Sequence, residues 1–277
     1  MPRPETPFRI KALNIYPVKS CAGIASETVS VSARGLLYDR SFMIVDKEGI
    51  FLTQRKLPRM SLIQVDIDEL DSKTKLKLSA PDKESILIDI SSETPDIAPI
   101  EVTVWRDKCL AYDSGEEASA WLSEFLQRDC RLVKMADIEN RPVHATNGII
   151  EKSTVGFADA FPFLVISDAS LAALNEKLPE PMSMNRFRPS IVISGCEPFS
   201  EDSWKTISIK DIVLDLIEPC ARCTITTIEQ ETARRGQEPL KTLSTFRQKD
   251  NQILFGMYAC HRNPGILNLG DPVLVLK

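Results

Sequence analysis

The chain has 277 residues, 43% of them hydrophobic and 26% charged, with a formal net charge of -5. A chain of that size can bury one large core or two medium ones, and the mixture is that of an ordinary globular protein. The acidic balance gives no general attraction to nucleic acid or to an anionic membrane, so any bound anion must be held by a local group of basic residues.

From the N-terminus, MPRPETPFRIKALNIYPVKS has no apolar core of signal-peptide length, and no later run approaches the ~20 apolar residues of a membrane-spanning helix. On this reading the chain is cytoplasmic. The first third then alternates apolar and polar residues in short runs broken by Gly, Pro, Asp and Lys, the pattern of half-buried strands. It predicts strands at 9–16, 28–32, 41–46, 50–54, 61–68, 75–79, 85–90, 100–105 and 108–112. So many short strands without intervening helices point to an antiparallel sandwich or barrel.

Ser114-Gly-Glu-Glu117 has the form of a capping box, followed by Ala118, Trp121, Leu122, Phe125 and Leu126 at helical spacing. A strand is expected at 130–135, and the polar segment 136–156, with Pro142, Asn147 and Gly148, reads as a linker or long loop. FPFLVIS (161–167) suits a buried strand, and Ser167 is placed to cap the helix that follows. RPSIVISG (188–195), WKTISI (204–209), IVLDLIEP (212–219), CTITTIE (223–229) and PVLVL (272–276) read as further strands, with a hairpin turn at Lys210-Asp211. The expected class is mainly β with a few helices, in two β-rich halves.

The seven cysteines are odd in number and, with no export signal, read as thiols. Within Glu218-Pro-Cys-Ala-Arg-Cys-Thr224, Cys220 and Cys223 have the spacing of a zinc half-site, a redox dithiol, a ligand set for another metal, or two packed thiols. Zinc lacks a second pair: the histidines are His144 and His261, and the adjacent Cys260 and His261 would face opposite sides of a strand. A dithiol of the thioredoxin type would stand at a helix N-terminus, whereas Cys223 precedes the β-branched Thr-Ile-Thr-Thr-Ile. Arg222 between the cysteines would favour a thiolate, and a single thiolate on a β scaffold suits a soft metal whose other ligands come from a cofactor.

YPVKSCAG, GLLYDRSFMIVD, FPFLVISDASL, RFRPSIVISG, EDSWKTISI, EPCARCTITTI and FGMYACHRNPGILNLGDPVLVL together resemble the molybdenum-cofactor-sulfurase C-terminal (MOSC) domain with its N-terminal β-barrel partner. Within that superfamily the sequence is similar to the mitochondrial amidoxime-reducing component and its bacterial and fungal relatives. The resemblance implies an N-terminal β-barrel domain over 8–136 packed on a MOSC β-barrel domain over 137–277. It also implies a molybdopterin cofactor whose metal takes its thiolate from Cys223. The pterin-phosphate site would then be built from Lys19, Ser20, Arg40, Arg188, Ala221, Arg222 and Tyr258.

Animal members carry hydroxyl residues just before the buried strand, where this chain has Asp159-Ala160-Phe161. Asp159 and Ala160 are therefore expected to contribute through the backbone, and Phe161 not at all. The implied activity is two-electron reduction of N-oxygenated compounds such as amidoximes and hydroxylamines. With no nucleotide fingerprint or iron-sulfur pattern in the chain, electrons would come from a separate cytochrome b5-type or ferredoxin-type protein served by a flavin reductase. Animal members also carry a membrane anchor, and a mitochondrial membrane location would require one here. The rival reading is a molybdopterin-binding or sulfur-carrier module that uses Cys223 without reductase turnover.

Overall fold

The computed structural model describes residues 8–91 and 97–277; the first residues of the N-terminal segment considered above lie outside them. The structure is mainly β with three short α-helices among the described residues. The largest sheet runs in the order Ile24–Ser26, Arg9–Ile15, Ile191–Ser194, Phe163–Ser167, Gln252–His261, Ile212–Ala221, Thr206–Ile209 and Val273–Val275, with Gln248–Lys249 beside Gln252–His261. All its pairings are antiparallel except that of Phe163–Ser167 with Ile191–Ser194. The early strand Arg9–Ile15 is thus hydrogen-bonded into a sheet made mostly from the second half of the chain.

A four-stranded sheet orders Phe42–Val45, Arg131–Met135, Asp107–Asp113 and Ile100–Val104, and a meander joins Gln64–Leu70, Lys73–Ala80 and Lys83–Asp89. The alternation of the sequence explains these elements: inward positions such as Leu76 and Leu78 are fully buried, and their neighbours face outward. The helix Glu116–Leu126 lays Trp121, Leu122 and Phe125 onto the core under the four-stranded sheet. Around the larger sheet, Ile10, Leu13, Val165, Ile191, Ile207 and Leu214 form a second core.

Several local expectations are corrected. Ser114 does not cap its helix; Gly115, with φ 98°, takes the N-cap position without a side-chain bond, and Glu116 and Glu117 supply first-turn charge. Ser167 does cap, accepting from the Ser170 amide at 3.0 Å. Segment 136–156 is no open linker, because Pro142–Ala145 and Gly148–Thr154 pair as a hairpin. Beneath it the buried Arg141 guanidinium donates to the Gly156 and Ala158 carbonyls at 2.7 and 2.6 Å. Residues 50–54 form only isolated bridges at Ile50 and Phe51.

The sharpest difference lies after Cys223, where Thr224–Thr227 is a single 3-10 turn. Thr226 Oγ1 donates to the Cys223 carbonyl at 3.0 Å and Thr227 Oγ1 to that of Thr224 at 2.8 Å. Hydroxyls that bond locally in this way satisfy the backbone without a ladder, and here they override β propensity.

Candidate functional site

The chain gathers its polar residues where strands meet end to end. Arg9–Ile15 runs out into Tyr16–Cys21, next to the entry into Ile191–Ser194, and Ile212–Ala221 ends at the Cys220–Cys223 segment. Backbone bonds lace these ends together: Arg40 N to Tyr16 O at 2.9 Å, Lys19 N to Phe42 O at 2.8 Å and Phe157 N to Arg40 O at 2.7 Å. Gly156 allows the closest approach, since a Cβ there would stand 2.7 Å from the Arg40 carbonyl oxygen.

Between these ends lies a cavity of about 290 Å3. All ten residues singled out from the sequence line it: Lys19, Ser20, Arg40, Asp159, Ala160, Arg188, Ala221, Arg222, Cys223 and Tyr258. Three of them, Ser20, Arg40 and Arg188, hold left-handed backbone at φ 67°, 48° and 56°. Non-glycine residues in that region cost of order 1–3 kcal/mol each and cluster at functional sites.

The cations are held in distinct ways. Lys19 is 3% exposed and donates to the Phe157 carbonyl at 2.7 Å and to Asp159. Burial pushes its ammonium down to about 8, with Asp159 opposing the shift. Burial would raise the Asp159 carboxyl, but its side chain keeps 37% exposure. The charges of Lys19 and Arg55 prevail and hold it well below the usual carboxylate range. Arg40 pairs with the buried Asp39 rather than on the surface.

The Arg40 and Arg188 guanidiniums lie 4.3 and 4.2 Å from the Tyr16 ring centroid. Burial, with Arg40 nearby, lowers Arg188 to about 10. Arg188 donates to the Cys21 carbonyl at 2.6 Å.

The two cysteines are treated differently. Arg222 donates to Cys220 Sγ at 2.9 Å and to the Phe187 carbonyl at 2.6 Å. Cys220 is 3% exposed, and burial pushes its thiol up against the pull of Arg222. Cys223 is half-buried, faces the cavity, and receives Arg55 Nη2 at 3.2 Å. The guanidinium expected to serve Cys223 thus serves Cys220, and Arg55 takes that place. All seven cysteines are free thiols.

Sequence reasoning missed Arg55, Trp105 and Phe161. Arg55 also bonds Asp159 at 2.8 Å, and Trp105 Nε1 reaches the same carboxylate at 3.2 Å. Neither sits in a motif whose spacing marks a site, and both come from parts of the chain distant in sequence from the cysteines. Phe161 is 4% exposed and stacks on Tyr258 with centroids 4.9 Å apart, so its ring lines the cavity where only a lost hydroxyl was anticipated.

The lining brings five cationic side chains, Lys19, Arg40, Arg55, Arg188 and Arg222, against the single carboxylate of Asp159. Among the described residues Arg188 and Arg222 form no ion pair with a carboxylate, and the buried Arg55 Nη1 and Arg222 Nε have no hydrogen-bond partner. Buried donors left unsatisfied are costly, so the cavity fits an anion beside a free sulfur. Phosphate with a soft metal meets both demands.

Residues 7–129 match the MOSC N-terminal beta barrel domain and residues 152–274 the MOSC domain. The human mitochondrial amidoxime-reducing component 1 is 35% identical over 283 residues, covering 96% of this chain and 82% of that protein. The rat mitochondrial amidoxime reducing component 2 is 32% identical over 94% of this chain and 80% of its own length. The zebrafish molybdenum cofactor sulfurase is 32% identical over 95% of this chain, which spans 34% of that protein. With two domain matches in order and relatives above 30% identity over nearly its whole length, this chain belongs to the MOSC-domain family.

Proposed function

We propose that the cavity holds a molybdenum-pterin cofactor and that the chain reduces N-oxygenated compounds such as amidoximes and hydroxylamines. The observation that carries this reading is the sulfur of Cys223 opening into a cavity with five cations, one carboxylate and two buried guanidinium donors without partners. Arg40, Arg188 and Arg222, with Lys19 and Ser20, would hold the phosphate and pterin edges. Cys223 would give its thiolate to the metal, Ala221 and Ala160 would pack and bond through the backbone, and Tyr258 and Phe161 would form an apolar wall.

When bound, molybdenum supplies two-electron chemistry that this protein's side chains lack. The net reaction consumes two electrons and two protons, breaks the N–O bond and releases water, leaving the reduced nitrogen compound. Two electrons must be delivered by a separate cytochrome b5-type or ferredoxin-type partner. Asp159, fixed as a carboxylate by Lys19 and Arg55, orients the arginine that bonds Cys223.

A second reading, a cofactor-binding or sulfur-carrying module, is favoured by the sulfurase relatives. Metal analysis and turnover separate the two. Protein loaded with molybdenum that reduces benzamidoxime with a reduced viologen dye supports the reductase. Binding of molybdopterin without turnover supports the carrier, and zinc in place of molybdenum contradicts both.

A further inference from the structure

The cavity beside Cys223 shares a wall with a second, larger one of about 710 Å3. Arg55, Trp105, Asp159 and Ala160 line both. One side of the second cavity is aromatic, with the Phe51 and Trp105 rings 4.9 Å apart. Trp105 opens the two-residue turn between Ile100–Val104 and Asp107–Asp113 at φ 56° and is 45% exposed. Such a turn position favours glycine, so the half-exposed ring is held there at a backbone cost, packed on Phe51 and Arg55 and bonded to Asp159.

The charges of this cavity divide cleanly. Asp107 is bound by Arg141 at 2.7 Å and His144 at 3.1 Å, and Asp159 by Lys19 and Arg55. Its carboxylates are therefore already neutralised. Lys56 and Arg106 also line it, both are exposed, and neither side chain makes a hydrogen bond or ion pair among the described residues. The charge left unmatched is positive and lies beside an aromatic face.

We propose that this second cavity is the substrate site, and that it selects planar aromatic N-oxygenated compounds carrying an anionic group. The ring would lie against Phe51 and Trp105, the anion would reach Lys56 and Arg106, and the N–O end would face the wall shared with Cys223. The inference rests on the reductase reading above, yet its site can be tested by binding alone.

The test titrates the protein with benzamidoxime and with 4-carboxybenzamidoxime, following quenching of tryptophan fluorescence. Trp105 is the responsive ring, because Trp121 and Trp204 are 6% and 7% exposed. The carboxylate compound is expected to bind roughly five- to tenfold more tightly at low salt, with the advantage shrinking as salt is added. In a Lys56→Ala/Arg106→Ala double variant the ratio of affinities should fall toward one. Equal affinities in the unaltered protein, or an advantage that survives the double variant, would overturn the proposal. A chain that shows the preference but reduces neither compound contradicts the reductase reading and supports the site. A chain that reduces both with equal KM contradicts the site and supports the reductase.

Discussion

Arg55 Nη2 donates to the sulfur of Cys223 at 3.2 Å across a sequence separation of 168 residues. Its other bond, to Asp159 at 2.8 Å, ties the sulfur to a carboxylate that Lys19 also holds. Cys223 therefore sits at the end of a braced chain of charges contributed by three distant segments. Replacing Arg55 by Gln removes the charge and the fork. With benzamidoxime and a reduced viologen, kcat should fall about tenfold or more, about 1.4 kcal/mol of transition-state stabilisation per tenfold. Both bonds leave one nitrogen, Nη2, so Arg55→Lys keeps the charge and should recover part, limited by a side chain one atom shorter. Unchanged kcat and molybdenum content in Arg55→Gln would remove this residue from the site.

Gly156 governs how closely the Phe157 segment approaches Arg40. A Cβ 2.7 Å from the Arg40 carbonyl oxygen forces backbone to move, as no side chain can swing aside. Gly156→Ala should lower unfolding stability by about 1–3 kcal/mol, read from the urea midpoint, and reduce cofactor retention through the displaced Arg40. A variant with the same midpoint and the same molybdenum content would contradict this packing.

Lys19 gives the cofactor-free protein a signed pH dependence. Burial holds its folded value at about 8, against 10.5 for an ordinary lysine. Between those values the unfolded chain carries a proton that the folded chain has released, so stability rises with pH. Compared with Lys19→Met, the unaltered protein should therefore gain unfolding free energy as pH rises from about 8 toward 10. Urea titrations at several pH values measure the difference, and a flat or falling difference would contradict it.

Much of this was legible in the sequence because the strands and the loops that line the cavity are written locally. Alternation marked most of the early strands, and Lys19-Ser20, Arg40, Arg188 and the Cys220–Cys223 segment sit in short runs that family resemblance could place. What stayed hidden depended on long-range contact. Arg55 lies in an unremarkable Gln-Arg-Lys run and acquires meaning only when the fold brings it to Cys223. Arg222 stands next to Cys223 in sequence, yet its guanidinium reaches Cys220. The Thr-Ile-Thr-Thr run read as strand because propensity counts side-chain shape, whereas two threonine hydroxyls closed a turn instead. Likewise Ser114 offered a capping box, but its amide is taken by the Leu132 carbonyl and Gly115 starts the helix.

Cys220 resolves as a residue with a structural part. It is buried and bonded by Arg222, burial pushes its thiol up, and it lines the same cavity as the half-buried Cys223. Cys220→Ser should keep the metal and cost about 1–2 kcal/mol of stability from a buried hydroxyl in a thiol's place. A midpoint shift in urea, at unchanged molybdenum content, is the expected result.

In the function proposed above, Cys223 alone supplies the protein's sulfur to the metal. Molybdenum per chain, measured by mass spectrometry of the elements on the purified protein and on Cys223→Ala, tests it most directly. The unaltered chain should carry close to one molybdenum, and Cys223→Ala should lose most of the metal together with reductase activity. Full molybdenum and full activity in Cys223→Ala would show that the metal does not take its sulfur from this residue.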